Sequence, residues 1–135
     1  MFIICRFSCN SLYLDSILFY NWQADVITAY GYPVEVHKIK TDDDYILSLF
    51  RIPCGKNESE CYNEKNNTTA KPAIFLMHGF LSSSYDYISE GPNVSLPFLL
   101  ADKGYDIWLG NSRGSIASRE HVRWTDNDKE YWNFR

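Results

Sequence analysis

This sequence has no long apolar run and no excess of positive charge. No stretch approaches the roughly 20 consecutive apolar residues that a membrane-spanning helix requires, so we predict no transmembrane segment. The formal net charge is −4 at pH 7, which argues against nucleic acid as a partner. Internal repeats and low-complexity tracts are also missing. At 135 residues, 45% of them hydrophobic, the chain has the length and composition of one globular domain.

Sequence patterns that would hold a metal ion or a phosphate group are missing as well. The cysteines do not follow the spacing of a zinc site, and no glycine-rich phosphate-binding loop is found. The three aspartates of Thr41–Asp44 lack the further oxygen donors of a calcium loop, so we interpret them as a tight turn. We therefore expect neither a metal site nor a cofactor.

The four cysteines leave the redox compartment open. Cys5 and Cys9 lie in residues 1–20, an apolar-leaning segment that charged residues interrupt and that lacks the order of a secretory signal. Cys54 and Cys61 flank a polar loop, where a small disulfide and two free thiols fit equally well.

Asparagine sequons are more informative about location than the cysteines. The candidate glycosylation sites are Asn57, Asn66, Asn67 and Asn93. Three of the four fall in one polar loop, which favours a secreted protein or one of the lysosomal lumen.

Five consecutive apolar residues, Ala73–Met77, organise the rest of the chain. The run is too short for a helix and is apolar on both faces, which is typical of a strand inside a parallel sheet covered by helices. His78 and Gly79 follow directly and predict a sharp turn where the strand ends.

The remaining patterns predict an α/β fold. In chain order we predict a helix over 21–30, an antiparallel hairpin of strands 34–40 and 45–52, a surface loop over 53–71, the strand 73–77, an irregular loop over 81–91, a helix over 92–101, a strand over 105–109, a turn over 110–114 and a helical segment over 126–134. In the first helix, Trp22, Val26 and Tyr30 recur on one face, with Asn21 as its cap. Asp126 is the predicted cap of the last helical segment.

Short motifs along the chain are specific enough to indicate a family. The motifs are Tyr30-Gly-Tyr-Pro33, Asp44-Tyr-Ile-Leu47, Arg51-Ile-Pro53, Lys71-Pro72, His78-Gly79, Pro92-Asn93, Ser95-Leu96, Gly104-Tyr-Asp-Ile-Trp-Leu-Gly-Asn-Ser-Arg-Gly114, Ser118-Arg119 and Asp128-Lys-Glu-Tyr-Trp132. With them, residues 21–135 resemble the N-terminal part of the animal acid lipases, the lysosomal and gastric type, within the α/β-hydrolases. Residues 1–20 do not match.

The resemblance implies a partial α/β-hydrolase lipase domain over 21–135 that belongs to an enzyme of lipid degradation. Such enzymes hydrolyse carboxylic esters of neutral lipids, triacylglycerols or steryl esters, by means of serine, histidine and aspartate. In the family, one of two backbone N–H groups that hold the oxyanion belongs to the residue after His-Gly, here Phe80 in place of the usual leucine. The catalytic triad lies further along the family's chain, so we expect this chain to lack it and to be inactive alone.

Ser112 could be mistaken for the nucleophile, because Gly110–Gly114 satisfies the pattern G-x-S-x-G. The only histidine after it is His121, nine positions on. That spacing leaves no room for the strands that normally present the acid and the base of a triad. The resemblance also places this loop one strand before the nucleophile, so we disfavour Ser112 as a catalytic residue.

Four residues near the two strand ends are predicted to order loops. His78 with Gly79 would order the loop after the first strand, and Asn111 with Arg113 would hydrogen-bond neighbouring loops at the carboxyl edge of the sheet.

The sheet order of α/β-hydrolases also predicts an exposed edge. In that order Ala73–Met77 pairs with the strand that carries the nucleophile, which we expect to be missing here, and an apolar edge favours association with another chain. Three functions therefore stay open. They are part of an acid-lipase-type ester hydrolase, a non-catalytic product that binds lipid or a protein partner, and a small esterase that uses Ser112.

Overall fold

The computed structural model describes residues 22–56 and 71–134. The elements in chain order are α1 (Trp22–Ala29), β1 (Glu35–Lys40), β2 (Tyr45–Ile52), β3 (Ala73–Met77), a 3₁₀ turn (Ser84–Tyr87), α2 (Leu96–Ala101), β4 (Asp106–Gly110), β5 (Glu120–His121) and a second 3₁₀ turn (Lys129–Trp132). This alternation of strands and helices confirms the predicted α/β class. The proposed cap Asn21 and the sequons at 57, 66 and 67 lie outside the described residues.

The described strands form one mixed sheet in the order β1-β2-β4-β3, and β5 pairs with the start of β2. β1 and β2 form the predicted antiparallel hairpin, and β2 is also antiparallel to β4. β3 and β4 are parallel, with Ala73 opposite Asp106 and Met77 opposite Gly110. Among the described strands β3 has β4 as its only neighbour, so it lies at the predicted sheet edge.

The hairpin turn follows the prediction for its aspartates. The Asp44 N–H donates to the Thr41 carbonyl oxygen at 3.0 Å, and Asp44 adopts φ 68°, a conformation that aspartate tolerates better than most residues. The Asp44 carboxylate bonds Lys40 at 2.8 Å and Arg123 at 2.9 Å. Protein cations therefore neutralise this side chain.

The buried side of α1 includes more than its predicted apolar face. Gln23, Ala24 and Ile27 are buried, whereas Trp22 and Val26 are only partly covered. Val26 and Tyr30 of the predicted face pack against the core. Gln23 is buried beside them because it forms hydrogen bonds with the serines that follow β3. Gly31 follows the helix with φ +85°, the left-handed conformation in which a glycine commonly ends a helix.

Two predicted helices are shorter than their patterns indicated. α2 begins at Leu96 rather than at residue 92, because Pro97 is tolerated only in the first turn of a helix. The segment 126–134 contains only one 3₁₀ turn, which Asp128 precedes. Asp126 does not cap it. The Asp128 carboxylate instead accepts hydrogen bonds from Thr125, at 2.7 Å from the backbone nitrogen and 2.9 Å from the hydroxyl.

The core lies between one face of the sheet and the two helices. Eight of its side chains are completely buried: Ile27, Phe50, Ile52, Ile88, Phe98, Ala101, Ile107 and Leu109. The ring of Phe98 contacts those of Tyr30 and Tyr32 at centroid distances of 5.6 and 4.6 Å. Cys54, just after β2, is buried and disulfide-bonded, and its partner cysteine lies outside the described residues.

Candidate functional site

A concave surface of about 750 Å³ lies where the parallel strands β3 and β4 end. It is lined by residues 78–83 and 112–116, together with Asp86, Arg119, Trp132 and Phe134. Open α/β sheets bind their ligands outside the carboxyl ends of the strands. The loop after β3, which carries His78 and Phe80, and the loop after β4, which carries Ser112, therefore meet where a ligand site is expected.

A buried polar network holds the two loops together. The Asn111 side-chain amide donates to the Ser84 hydroxyl at 2.9 Å and to the Ser48 carbonyl oxygen at 3.3 Å, and its oxygen accepts from the Ser84 N–H at 3.0 Å. The Ser84 hydroxyl donates to Gln23 at 2.6 Å. Buried polar groups in such a network specify one arrangement, since an unpaired member would be costly. Asn111 thus joins the loop after β4 to α1, β2 and the loop after β3.

Arg113 joins the same loop to the hairpin turn. Its guanidinium donates to the Asp43 carboxylate at 2.7 Å and lies over the ring of Tyr45, 5.4 Å from its centroid. Hydrogen bonds from Thr41 and Arg113 lower the pKa of Asp43. The Arg113 contact is exposed, so it orients the loop more than it stabilises the fold.

His78 contacts both loops. Its Nε2 lies 3.1 Å from the Ser112 backbone nitrogen and 3.2 Å from the Ser112 Oγ, and its Nδ1 lies 2.8 Å from the Gly79 carbonyl oxygen. The sequence reasoning placed His78 and Ser112 in separate loops and did not pair them. The available signal was that both residues directly follow apolar strands of the predicted α/β sheet, because the carboxyl ends of parallel neighbours meet at one edge.

The residue proposed to supply an oxyanion donor follows in the same loop. The Phe80 side chain is 94% exposed, and among the described residues its backbone N–H has no hydrogen-bond acceptor. Leu81, next in the chain, adopts φ 56°, a left-handed conformation that costs a leucine roughly 1 kcal/mol. Backbone strain of this kind concentrates at functional sites.

The arrangement around Ser112 lacks part of a catalytic triad. A triad base is oriented by a carboxylate, whereas His78 has a backbone carbonyl oxygen at that position. His121 is bound elsewhere, since its Nδ1 accepts hydrogen bonds from the backbone nitrogens of Arg123 and Trp124. Within the described part of the chain, Ser112 therefore has a neighbouring base but no third member.

Residues 22–56 and 71–134 contain no group of three acidic, histidine or cysteine side chains placed to hold a metal ion. In the same ranges no helix has the length and apolar character needed to cross a membrane. The remaining sequon, at Asn93, lies at an exposed position before α2.

Comparisons with known proteins agree with the predicted resemblance. The family model described as "Partial alpha/beta-hydrolase lipase region" matches residues 23–91. The gastric triacylglycerol lipase of Bos taurus is 46% identical over 111 residues, which are 82% of this chain and 26% of the relative. Lipase member K of Homo sapiens is 45% identical over the same shares of each chain.

An insect relative also matches this chain. Lipase 3 of Drosophila melanogaster is 47% identical over 94 residues, which are 70% of this chain and 22% of the relative. The chain thus spans about a quarter of the length of the curated relatives that it matches, 26% of the bovine lipase for example. The matched region includes the hairpin, β3 and the loop that carries Phe80. The chain belongs to the partial α/β-hydrolase lipase family.

Proposed function

We propose that this chain supplies the oxyanion-binding part of a carboxylic ester hydrolase that acts on neutral lipids, triacylglycerols or steryl esters. The observation that carries the proposal is the backbone N–H of Phe80, which has no acceptor among the described residues and lies at the rim of the concave surface. The printed names of the relatives, which include gastric triacylglycerol lipases, support this substrate class.

The chemistry needs such a donor. When a serine attacks an ester carbonyl, the carbonyl oxygen becomes negatively charged, and a backbone N–H already aimed at that position stabilises the charge without reorganising. The Phe80 side chain is almost fully exposed and takes no part in that bond. A phenylalanine therefore serves as well as the leucine that the family usually has.

The nucleophile, the acid and the histidine would come from sequence that follows this region in the family. The chain of 135 residues should therefore not hydrolyse esters by itself. We also assign the protein to the secretory route or the lysosomal lumen. The exposed sequon at Asn93 and the disulfide of Cys54 support that location.

A second candidate is a small esterase that uses Ser112. The 3.2 Å distance between the Ser112 Oγ and the His78 Nε2 favours it. Against it, the same Nε2 lies 3.1 Å from the Ser112 backbone N–H, which occupies the lone pair that a general base would use.

Hydrolysis of a short-chain ester by the full 135-residue chain separates the two candidates. The main proposal expects no turnover above background. Turnover that Ser112→Ala abolishes would replace it with the second candidate, and the neighbouring Ser115→Ala serves as the matched control.

The role of Phe80 can be tested in a chimera. The 111 matched residues of the bovine gastric lipase are replaced by those of this chain, and hydrolysis of tributyrin is measured. Phe80→Pro removes the N–H and should lower kcat about 10² to 10³-fold, as loss of one oxyanion donor does. Phe80→Leu keeps the N–H and should retain activity. Equal activity of the two variants, at equal melting temperature, would contradict the proposal.

A further inference from the structure

Resting on the proposed function, we propose that His78 is a positioning residue that orients the peptide unit carrying the Phe80 N–H. Three hydrogen-bonding groups are involved: the Ser112 N–H, the His78 imidazole and the Gly79 carbonyl. Together they connect the loop that follows β4 to the loop that follows β3.

The backbone partners determine which imidazole nitrogen carries the proton. A backbone N–H can only donate, so His78 Nε2, 3.1 Å from the Ser112 nitrogen, must accept. The proton of the neutral ring then lies on Nδ1. A backbone carbonyl can only accept, and the Gly79 oxygen lies 2.8 Å from Nδ1. Both contacts therefore require the same tautomer, and the ring is satisfied on both sides.

The bond to the Gly79 carbonyl also sets the direction of the Phe80 N–H. These two groups belong to one peptide unit, which is planar, and the described chain contains no cis peptide bond. In a trans peptide the C=O and N–H bonds point in opposite directions. Holding the carbonyl against the imidazole therefore turns the Phe80 N–H away from the ring, where no described group accepts it.

The other end of the connection is anchored in the buried part of the protein. Ser112 follows Asn111, which is 2% exposed and is bound to Ser48 and Ser84. Around Gly79 the loop has little else to hold it, because Gly79 is exposed and a Cβ atom added there would meet nothing within 4 Å. The imidazole thus holds the exposed turn at Gly79 in a fixed position relative to the end of β4.

The tautomer can be measured by NMR in the ¹⁵N-labelled 135-residue chain, without any enzymatic activity. Long-range ¹H–¹⁵N spectra recorded where the imidazole is neutral should show the His78 proton on Nδ1. A proton on Nε2 would overturn the proposal. Failure of the ester hydrolase proposal would leave this result unaffected, so the two can fail separately.

Two variants then test the effect on the donor. His78→Asn places an amide nitrogen near the position of Nδ1 and can still donate to Gly79, whereas the amide of His78→Gln reaches only the position of Nε2. The order parameter of the Phe80 N–H should be about 0.85 in the parent and below about 0.6 in His78→Gln. His78→Asn keeps the bond to Gly79 but loses the one to the Ser112 N–H, so its value should lie between these two. Equal order parameters in all three proteins would overturn the proposal.

In the chimera described above, the same pair separates positioning from folding. His78→Gln should lower kcat about tenfold or more, since a misplaced oxyanion donor stabilises less charge, while KM stays within about twofold. His78→Asn keeps the bond to Gly79 and should recover part of the lost kcat. Equal losses in both variants would mean that the bond to Gly79 is not what matters, and would overturn the proposal.

Discussion

The two faces of the sheet differ in how far their apolar side chains are buried. On the inner face, Phe50, Ile107 and Leu109 are completely buried against the helices. On the outer face, Phe75 and Met77 of β3 are 59% and 46% exposed. Residues of similar hydrophobicity therefore contribute very differently to the free energy of unfolding, because apolar area is removed from water only where another element covers it.

Near the middle of the outer face, ion pairs of Arg51 connect the strands instead. Arg51 of β2 bonds Asp106 of β4 through two pairs of atoms, at 2.9 and 3.0 Å. Its guanidinium also bonds Glu35 at 3.1 Å and lies over the ring of Trp108. The inner face thus supplies the hydrophobic stabilisation, and the outer face supplies oriented polar contacts beside an uncovered apolar edge.

The largest expected difference is between two phenylalanines, one on each face. Phe50→Ala removes a fully buried ring and should lower the free energy of unfolding by about 3–5 kcal/mol. Phe75→Ala, the matched control on the outer face, should lower it by less than about 1 kcal/mol. Urea denaturation of the two variants measures both values. Equal losses of stability in the two variants would show that the outer face is covered in solution and would refute the difference between the faces.

A smaller loss is expected from the ion pair of the outer face. Asp106→Asn removes the charge that Arg51 binds, and the free energy of unfolding should fall by about 1–2 kcal/mol. The value is below that of a fully buried pair because the Arg51 side chain is 31% exposed. Asp42→Asn, which removes the carboxylate of an exposed residue in the hairpin turn, is the control for a general loss of negative charge. Unchanged stability of Asp106→Asn would show that the pair contributes nothing.

Acid should weaken the outer face through Glu35. Burial alone would raise the pKa of Glu35, but hydrogen bonds from His37 and Arg51 outweigh burial and lower that pKa. A lowered folded-state pKa stabilises the fold above the unfolded value, about 4.5, and this stabilisation is lost as the pH falls through the folded pKa. The free energy of unfolding should therefore fall below about pH 4.5. In Glu35→Gln that decline should be shallower, and an unchanged slope would refute the assignment.

The smallest expected effect on stability comes from the edge strand, where association is the main readout. Met77→Lys places a charge on the exposed edge and should alter the free energy of unfolding by less than about 0.5 kcal/mol. It should also reduce self-association, since charged edge residues oppose strand pairing. Size-exclusion chromatography at rising concentration compares it with the parent. A parent protein that is already a sharp monomeric peak would refute the expected association.

Much of the fold could be predicted from local patterns. The hairpin, the apolar strand Ala73–Met77 and the strand near residue 106 all lie where periodicity and turn residues predicted them. The segments that were predicted wrongly depend on context. The pattern predicts that α2 starts at 92, four residues early, because Pro92 lies in a turn before the helix. On α1 the apolar pattern gives no sign that Gln23 is buried through its hydrogen bond with Ser84.

The site was predictable in its residues but not in its contacts. Because motifs near His78 and Ser112 resemble a known family, both loops could be singled out from the sequence. Their hydrogen bonds could not be, since the two residues are 34 positions apart and meet only when β3 and β4 take one particular register. Asn111 was likewise predicted to order loops, but its side-chain partners lie on two separate elements, β2 and the 3₁₀ turn after β3.

The sequence by itself determined the strands, the turns and the family of this protein, because these depend on the order of apolar residues and on local backbone preferences. Only the tertiary structure decided that Gln23 of α1 is buried, which groups bond Asn111, and which tautomer His78 adopts. Those outcomes depend on groups distant in the chain that approach within hydrogen-bond or packing distance. No local pattern encodes that approach, since it follows from the register and packing of the whole sheet.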